Sequence, residues 1–500
     1  MYFHPISLIL GAALLAGCGS TSVNPVTGQQ ERTVMDEAQE VALGRKEHLA
    51  VLQQMPAYPD ARLQAYVDAL GQKLARQSHR ANLQWTFTVL DSPDINAFAL
   101  PGGFVYVTRG IMATMESEAD LAGVIGHEIG HVTARHGAQR ATRQQTAGIG
   151  VIAATVLGAL LENQGVSGAG RVASEVSQVA AAGYVASYGR EQELQADQLG
   201  AQYLASNRYD PANMVDVIRM LKSQEQFAAD RARALGQPAP SGGGGWLASH
   251  PSNEQRLQAI SGLAAQMRGQ GAYADDGRNR YLQAISGMRY GEADTQGLTR
   301  GSQFYHAGLG LTITAPPQWT IQNLPDRLML VNAARDAALV LRTAPPQAGR
   351  SHDEIIRNLV QPVRGSTDSL RINGLPATHF SGVRNNAQRQ AEPVEVTVVT
   401  GPGDNRFLLM WSARDAQALQ RARAGLQQAR DSFRAMTAAD RAQARPWVIE
   451  LAPFPRGGFP ELARGSPLVL AEQQLRLING AYGGGEPRIG QMVKVVVAQP

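Results

Sequence analysis

The stretch GHEIGHVTARHG, at residues 126–137, holds three of the ten histidines in the 500-residue chain. His127 and His131 are four residues apart, so on an α-helix both imidazoles lie on one face and can bind one zinc ion. Glu128 projects to the side, where its carboxylate can take a proton from an attacking water and pass it to a leaving amine. The stretch therefore predicts a helix that carries a zinc-dependent hydrolytic site.

Sequence signals mark both ends of this helix. Ser117 and Asp120 form a capping box at its start, and Gly137 follows His136 as a C-terminal stop. Glycines at 123, 126 and 130 each cost the helix about 1 kcal/mol relative to alanine, so we expect a neighbouring element to pack closely there. We expect His136 to interact with the helix dipole and not to bind the metal.

A second segment, REQELQADQLG at residues 190–200, offers the third protein ligand that a catalytic zinc needs. Glu193 and Asp197 are four residues apart and share a helix face. Glu193 is the predicted metal ligand, and Asp197 is predicted to orient a ligand histidine through its ring N–H. Taken alone, this segment would be interpreted as a solvated acidic helix face.

The two motifs together resemble the gluzincin family of zinc metalloproteases, which includes the CAAX-prenyl endopeptidases, the HtpX heat-shock proteases and the BepA-type periplasmic proteases. The resemblance extends over about residues 24–265 and includes NPVTG, NAFALPGGFVYVTRG and NRYDP. It implies one Zn²⁺ per chain, with His127, His131 and Glu193 as ligands and Glu128 as the catalytic base. The family often has Ser-Arg before the glutamate motif, whereas this chain has Gly189 before Arg190.

The resemblance also implies two further features of the cleft. The strand Phe104, Val105, Tyr106, Val107 and Thr108 would border the active site and hold an extended substrate by strand addition. The alternative is an edge strand with a purely structural role. His250 would occupy the open zinc position and hold the enzyme inactive, or would simply be a helix-entry residue before a proline.

The start of the sequence predicts export and a lipid anchor. Residues 1–18 contain an apolar run too short to span a bilayer, ending in Leu-Ala-Gly-Cys18, which resembles a bacterial lipobox. Cys18 is the only cysteine, so no intramolecular disulfide can form. The next residue is Gly19 and not the Asp that retains such lipoproteins in the inner membrane, so the resemblance implies a periplasmic protein anchored in the outer membrane. The first five residues lack Lys and Arg, and an ordinary signal peptide is the alternative.

The fold class is predicted as α+β, in three parts. Residues 24–290 would form a mostly helical zincin-like domain with a small sheet, and 300–436 an α+β accessory domain. Residues 446–500 resemble a degenerate LysM repeat, which implies peptidoglycan contact unless the segment is a structural cap. The apolar stretch 146–161 predicts a buried or membrane-surface helix, and the glycine-rich stretch 236–246 a flexible loop.

Composition excludes a nucleic-acid-binding function. The net charge is +4 among 46 basic and 42 acidic side chains, with no long basic run. The predicted function is a zinc endopeptidase acting on misfolded or stalled envelope proteins. The alternative is a non-proteolytic chaperone or assembly factor with a structural zinc. The presence of Glu128 favours the enzyme. Residues 300–500 show no tetratricopeptide array, so the partner network of BepA-type proteins is not expected here.

Overall fold

The computed structural model describes residues 20–142, 189–234, 250, 254–268, 273–324, 326–385 and 389–499. The predictions for Cys18, for the apolar stretch 146–161 and for the glycine-rich stretch 236–246 concern residues outside these ranges. The chain divides into two compact units. The first comprises residues 1–288 and 449–497, and the second comprises residues 289–448 and 498–500.

The first unit is mostly helical. Its helices are α1 Glu37–Gln54, α2 Ala61–Ala75, α3 Arg109–Thr114, α4 Glu118–Thr133, α5 Arg190–Ser206, α6 Asn213–Ala234, α7 Glu254–Arg268 and α8 Arg278–Ile285. Its strands before residue 288 are the hairpin β1 Ser20–Val23 and β2 Gln30–Thr33, then β3 Thr86–Leu90, β4 Ala97–Leu100 and β5 Phe104–Thr108. This mixture of helices and small sheets agrees with the predicted α+β class.

The three-stranded sheet corrects one prediction. Its order is β3-β5-β4, with β5 parallel to β3 and antiparallel to β4. All five residues of Phe104–Thr108 are buried. This strand therefore has partners on both sides and cannot accept a substrate strand. The predicted substrate strand was wrong because β4, which precedes β5 in sequence, folds back and takes the outer position.

Helix α4 begins as predicted, since the Ser117 hydroxyl accepts a hydrogen bond from the Asp120 amide at 3.1 Å. Every residue of the helix is buried. Its glycines permit close contact with α5: a Cβ added to Gly130 would lie 3.0 Å from the carbonyl oxygen of Ala196. One added to Gly126 would lie 3.4 Å from the Cα of Gly200. The cost of these glycines to the helix is thus offset by helix-helix packing.

The second unit is built on antiparallel sheet. The unit's strands are β6 Arg289–Tyr290, β7 Leu298–Arg300, β8 Gln303–His306, β9 Leu311–Thr314, β10 Thr320–Leu324, β11 Arg327–Val331, β12 Ala337–Thr343, β13 Pro362–Ile372, β14 Leu375–Asn385, β15 Ala391–Thr400, β16 Arg406–Ala413 and β17 Arg434–Ala435. Seven of them are ordered β10-β11-β12-β16-β15-β14-β13 in one sheet, and four are ordered β17-β9-β8-β7 in another. Its α-helices are α9 His352–Ile355, α10 Ala416–Asp431 and α11 Ala438–Gln443. Helix α10 buries Leu426 in an apolar core shared with Leu339 and Phe407 of the sheet.

The C-terminal segment has two helices between two paired strands. These elements are β18 Trp447–Pro453, α12 Gly458–Ala463, α13 Ala471–Ile478 and β19 Met492–Ala498. Residues 449–497 nevertheless belong to the first unit, so the chain does not divide into the three consecutive parts that we predicted. Lys494 is fully buried, and its ammonium group contacts Glu116 at 2.9 Å and the carbonyl oxygen of Met115 at 2.6 Å.

None of the helices that the structure describes combines the length and the apolar character needed to cross a membrane.

Candidate active site

Helices α4 and α5 bring together the three predicted ligands. The Nε2 atoms of His127 and His131 are 3.0 Å apart. The Glu193 carboxylate lies 3.6 Å from His127 Nε2 and 3.5 Å from His131 Nε2. All three side chains are at most 1% exposed. Two helical i, i+4 relationships on helices in close contact thus converge on one buried point.

The donor atoms fit a zinc ion. Ligand atoms about 2.1 Å from a tetrahedral zinc are about 3.4 Å from one another, close to the separations at this site. His127, His131, Glu193 and His250 each offer one ligand atom, and these atoms all lie within 4.8 Å of one another. Nitrogen and carboxylate donors are the ligands that catalytic zinc sites use. The residues present therefore suit one zinc ion.

His250 completes the group of donors. Its Nδ1 lies 3.2 Å from His127 Nε2 and 3.1 Å from Glu193 Oε1, and the residue is 1% exposed. Its Nε2 lies 3.5 Å from Glu128 Oε1. A catalytic zinc keeps one position open for water or substrate, whereas four protein ligands close the coordination sphere. In this conformation His250 stands where the fourth ligand would be.

Asp197 and Arg256 hold His127 in place. Asp197 Oδ1 lies 2.9 Å from His127 Nδ1, which leaves His127 Nε2 directed at the metal position. Arg256 donates to both Asp197 oxygens at 2.8 Å and also lies 2.9 Å from Glu193 Oε2. It donates a further bond to the carbonyl oxygen of His250 at 3.2 Å. One guanidinium thus links the ligand carboxylate, its neighbour and the histidine that completes the site.

His136 contributes to the site more directly than predicted. It is fully buried, and its Nδ1 lies 2.8 Å from His131 Nδ1. Its Nε2 lies 3.0 Å from the side-chain oxygen of Gln195. The sequence predicts only an interaction with the helix dipole. The chain, however, turns at Arg135, which has φ of 56°, and His136 lies against His131.

The electrostatics favour a cation at this point. Burial opposes charge on Glu193, but His250, His127 and His131 outweigh it and hold the pKa of this carboxyl well below its usual range. The pKa of Asp197 is likewise lowered, because Arg256 and His127 outweigh burial. Burial also opposes charge on His127, yet Asp197 and Glu193 raise its pKa to about 9. The site thus holds anionic carboxylates that attract either a proton or a metal ion.

The pKa of His131 lies well below its ordinary value because of burial and the neighbouring charge of His127. A neutral imidazole keeps a lone pair for a metal, so His131 is poised as a ligand. Glu128 is fully buried beside it on α4, and its Oε1 faces His250 Nε2. Glu128 is therefore next to the metal position without belonging to the group of four donors.

Two converging helices with a His-His-Glu donor set and an adjacent glutamate define a metallopeptidase site of the gluzincin type. Residues 61–264 match the sequence model of Peptidase family M48. The chain therefore carries an M48 peptidase domain, as its motifs indicated. Zinc is the cofactor that this family uses, and the four-donor group suits one such ion.

Several curated proteins are similar to this chain. The beta-barrel assembly-enhancing proteases of Yersinia pestis and Escherichia coli (strain K12) are each 27% identical to it, covering 52% of the chain and 52% and 51% of their own lengths. Mitochondrial metalloendopeptidase OMA1 of Bos taurus is 28% identical over 49% of the chain and 46% of its own length. The chain thus spans about half the length of these relatives.

Among solved structures, the cyanobacterial PsbP protein of Synechocystis sp. PCC 6803 aligns with 29% of the chain and 98% of its own, at 12% identity and a TM-score of 0.20. This likeness supports no statement about fold or function.

Three residues of the site were missed by sequence reasoning. Arg256 sits on α7 without a recognisable motif, and only its position six residues after His250 links it to the site. Gln195 lies between Glu193 and Asp197 on the glutamate helix. Asn24, whose side-chain amide donates to Gln195 at 3.0 Å, belongs to the NPVTG motif. The sequence connects this motif only with the family resemblance and not with the metal site.

Proposed function

We propose that this chain is a zinc-dependent endopeptidase that hydrolyses peptide bonds of misfolded or stalled envelope proteins. The observation that carries the proposal is the convergence of His127, His131 and Glu193 on one point, with the Glu128 carboxylate beside it. Similarity to proteases named for beta-barrel assembly supports envelope proteins as the substrate class.

Each residue has a distinct part in the reaction. His127, His131 and Glu193 bind the metal, and Asp197 fixes the ring of His127. When bound, zinc supplies a Lewis acid that makes water a nucleophile near neutral pH and polarises the scissile carbonyl. The Glu128 carboxylate takes the proton of the attacking water and delivers it to the leaving amine. Burial of the site excludes bulk water and strengthens these electrostatic effects.

An extended substrate would pair with β4 and not with β5. The backbone carbonyl of Asn96 accepts a hydrogen bond from the Thr108 amide. In an antiparallel pair every second residue bonds to the partner strand, so the backbone N–H and C=O groups of Ala97 and Ala99 point away from β5. Ala99 and Leu100 line a small cavity together with His131. The outer edge of β4 thus lies close to the metal position, and strand addition there would hold many substrate sequences by their backbones.

His250 would act as a reversible inhibitor within the chain. With its Nδ1 among the metal donors and its Nε2 facing Glu128, it occupies the space that water and the substrate carbonyl need. Proteolysis then requires His250 to leave. His250→Ala should raise the rate of casein cleavage several-fold while zinc remains bound, and an unchanged rate would return His250 to a structural role.

A second candidate function rests on the same observation. Four protein ligands are typical of structural zinc, so a chaperone or assembly factor with no proteolytic step is the alternative. The two functions differ in what Glu128 does. A structural zinc site does not require a carboxylate beside the metal position that is not a ligand. The presence of Glu128 there therefore favours the enzyme.

The decisive experiment measures zinc content and casein cleavage for the wild type and Glu128→Gln together. We expect about one zinc per chain in both proteins, and a rate about 10² to 10⁴ times lower in the variant, because the proton acceptor is lost. Glu191→Gln is the matched control, since Glu191 lies on α5 and is exposed. Full activity in Glu128→Gln would contradict the mechanism, and zinc binding without cleavage in the wild type and in His250→Ala would favour the chaperone.

We also propose that the chain is a periplasmic lipoprotein anchored in the outer membrane through Cys18. The lipobox-like Leu-Ala-Gly-Cys18 supports this proposal. The C-terminal segment is proposed to contact peptidoglycan through its LysM-like part. Labelling with palmitate should depend on Cys18 and disappear in Cys18→Ser. Sedimentation with purified peptidoglycan tests the second contact.

A further inference from the structure

The side chain of Asn24 is buried, although it lies in the turn of an exposed hairpin. The residue is 2% exposed, whereas Thr27 and Gly28 of the same turn face solvent. Its Oδ1 accepts hydrogen bonds from the backbone amides of Val26 and Thr27 at 2.9 and 3.1 Å. Its Nδ2 donates to Gln195 Oε1 at 3.0 Å and to Glu31 Oε1 at 2.9 Å. The Asn-Pro-Val-Thr-Gly motif thus inserts one amide group into the protease unit.

This contact fixes the direction of a chain of hydrogen bonds. Backbone N–H groups can only donate, so the oxygen of Asn24 must face Val26 and Thr27, and its nitrogen must face Gln195. Donation by Asn24 requires Gln195 to present its oxygen. That oxygen then accepts from His136 Nε2 at 3.0 Å, which places the ring proton of His136 on Nε2.

The same direction of hydrogen-bond donation extends to His131, next to the metal position. With its proton on Nε2, a neutral His136 has a lone pair on Nδ1, which accepts from His131 Nδ1 at 2.8 Å. His131 therefore carries its proton on Nδ1 and directs the lone pair of Nε2 at the metal position. Every link from Asn24 to His131 has one consistent direction of donation.

We infer that Asn24, Gln195 and His136 are positioning residues that hold His131 in the tautomer and ring orientation required for metal binding. This role assigns a function to the NPVTG motif, which lies before the segment matched by the M48 family model. It parallels Asp197, which orients His127 by a charged contact, whereas the relay to His131 uses neutral groups. The inference rests on the proposed metal site.

The test compares two substitutions of Gln195 that differ in whether the side chain can accept a hydrogen bond. Gln195→Met has similar size but cannot accept a hydrogen bond, and Gln195→Glu keeps an acceptor toward both Asn24 and His136. Zinc dissociation constants are measured for the whole chain by competition with a chromogenic chelator at one fixed pH. Gln198→Met is the control, because it makes the same change on the same helix outside the relay.

We expect Gln195→Met to bind zinc about 10- to 100-fold more weakly, the usual effect of losing a partner behind a ligand. Gln195→Glu and Gln198→Met should remain within about threefold of the wild type. Asn24→Asp keeps the shape of Asn24 but cannot donate, so it should weaken binding as Gln195→Met does. Unfolding temperatures of the metal-free variants should match the metal-free wild type, which separates positioning from folding.

Equal zinc affinity in Gln195→Met, Asn24→Asp and the wild type would overturn the relay while leaving the proposed peptidase intact. Weakening of Gln195→Glu to the level of Gln195→Met would also overturn it, because the ability to accept a hydrogen bond at position 195 would then make no difference. Absence of zinc binding in the wild type would overturn the proposed metal site and the relay with it.

Discussion

The metal site and the seven-stranded sheet bury different kinds of side chain. Arg256, Glu193 and Asp197 are buried in the first unit, each at most 2% exposed. In the second unit, the core of the sheet is apolar, and each described ion pair keeps at least one partner partly exposed, as in Arg384 and Glu392, whose side chains are both 35% exposed. Buried charges are costly unless they are paired, whereas apolar packing needs no partner. The stability of the first unit therefore depends on the paired charges of its metal site, whereas that of the second unit depends mainly on apolar packing.

Replacing Arg256 by Met tests this difference most strongly. Loss of the guanidinium leaves the carboxylates of Glu193 and Asp197 buried with less compensation, so the free energy of unfolding should fall by about 3–5 kcal/mol. Urea unfolding of zinc-loaded protein measures the change. Arg268→Met on the same helix is the control, because Arg268 is 63% exposed and its pair with Asp210 should contribute less than about 1 kcal/mol. Equal effects of the two substitutions would contradict the comparison.

Removing the metal should destabilise only the first unit. A ligand present at about 1,000 times its dissociation constant stabilises the folded state by about 4 kcal/mol, and a chelator removes this contribution. Hydrogen exchange followed by mass spectrometry separates the two units. We expect faster exchange in α4 and α5 and unchanged exchange in β12 and β16. Faster exchange in the sheet as well would show that the two regions are not independent in stability.

The buried ammonium group of Lys494 should make the stability of the first unit depend on pH. Burial lowers the pKa of its ammonium group, so the unfolded chain binds a proton more readily than the folded chain. Stability of the wild type should therefore rise with pH between the lowered folded pKa and about 10.4, by at most about 1.4 kcal/mol per pH unit. Subtracting the curve of Lys494→Met isolates this contribution. A wild-type minus variant difference that falls with pH would contradict the sign.

The smallest effect is expected in the second unit. Arg384→Ala removes an ion pair with Glu392 in which both side chains are 35% exposed, so the loss should not exceed about 1 kcal/mol. Hydrogen exchange of β14 and β15, followed by mass spectrometry, measures the change in this unit alone. A loss as large as that of Arg256→Met would remove the distinction between the two regions.

Sequence alone predicted the parts of the site that depend on one helix. His127 and His131, or Glu193 and Asp197, share a face because the helical period places residues four apart together. The glycines of α4 likewise predicted close packing, and the structure identifies α5 as the neighbour. These features are local, so a sequence contains the information needed to find them.

Features that depend on distant contacts were not predictable in the same way. The strand Phe104–Thr108 has a strong β pattern, but its position between β3 and β4 follows from how three segments associate. The roles of Arg256 and His136 depend on contacts with α5 that no spacing rule specifies. The return of residues 449–497 to the first unit is also a long-range property, because the intervening unit separates them from residue 288.

Helix α4 is held near both ends by segments far apart in the sequence. Arg135, just after the helix, donates to Ser20 at 3.3 Å, and Lys494 donates to Met115, just before it, at 2.6 Å. During synthesis at about 5–20 residues per second, the second unit takes about 10–30 s to emerge before β19 follows. Helix α4 therefore lacks one of these two contacts until β19 has been synthesised. The contact between Lys494 and Met115, which packs against the start of α4, can form only after the whole second unit has been synthesised.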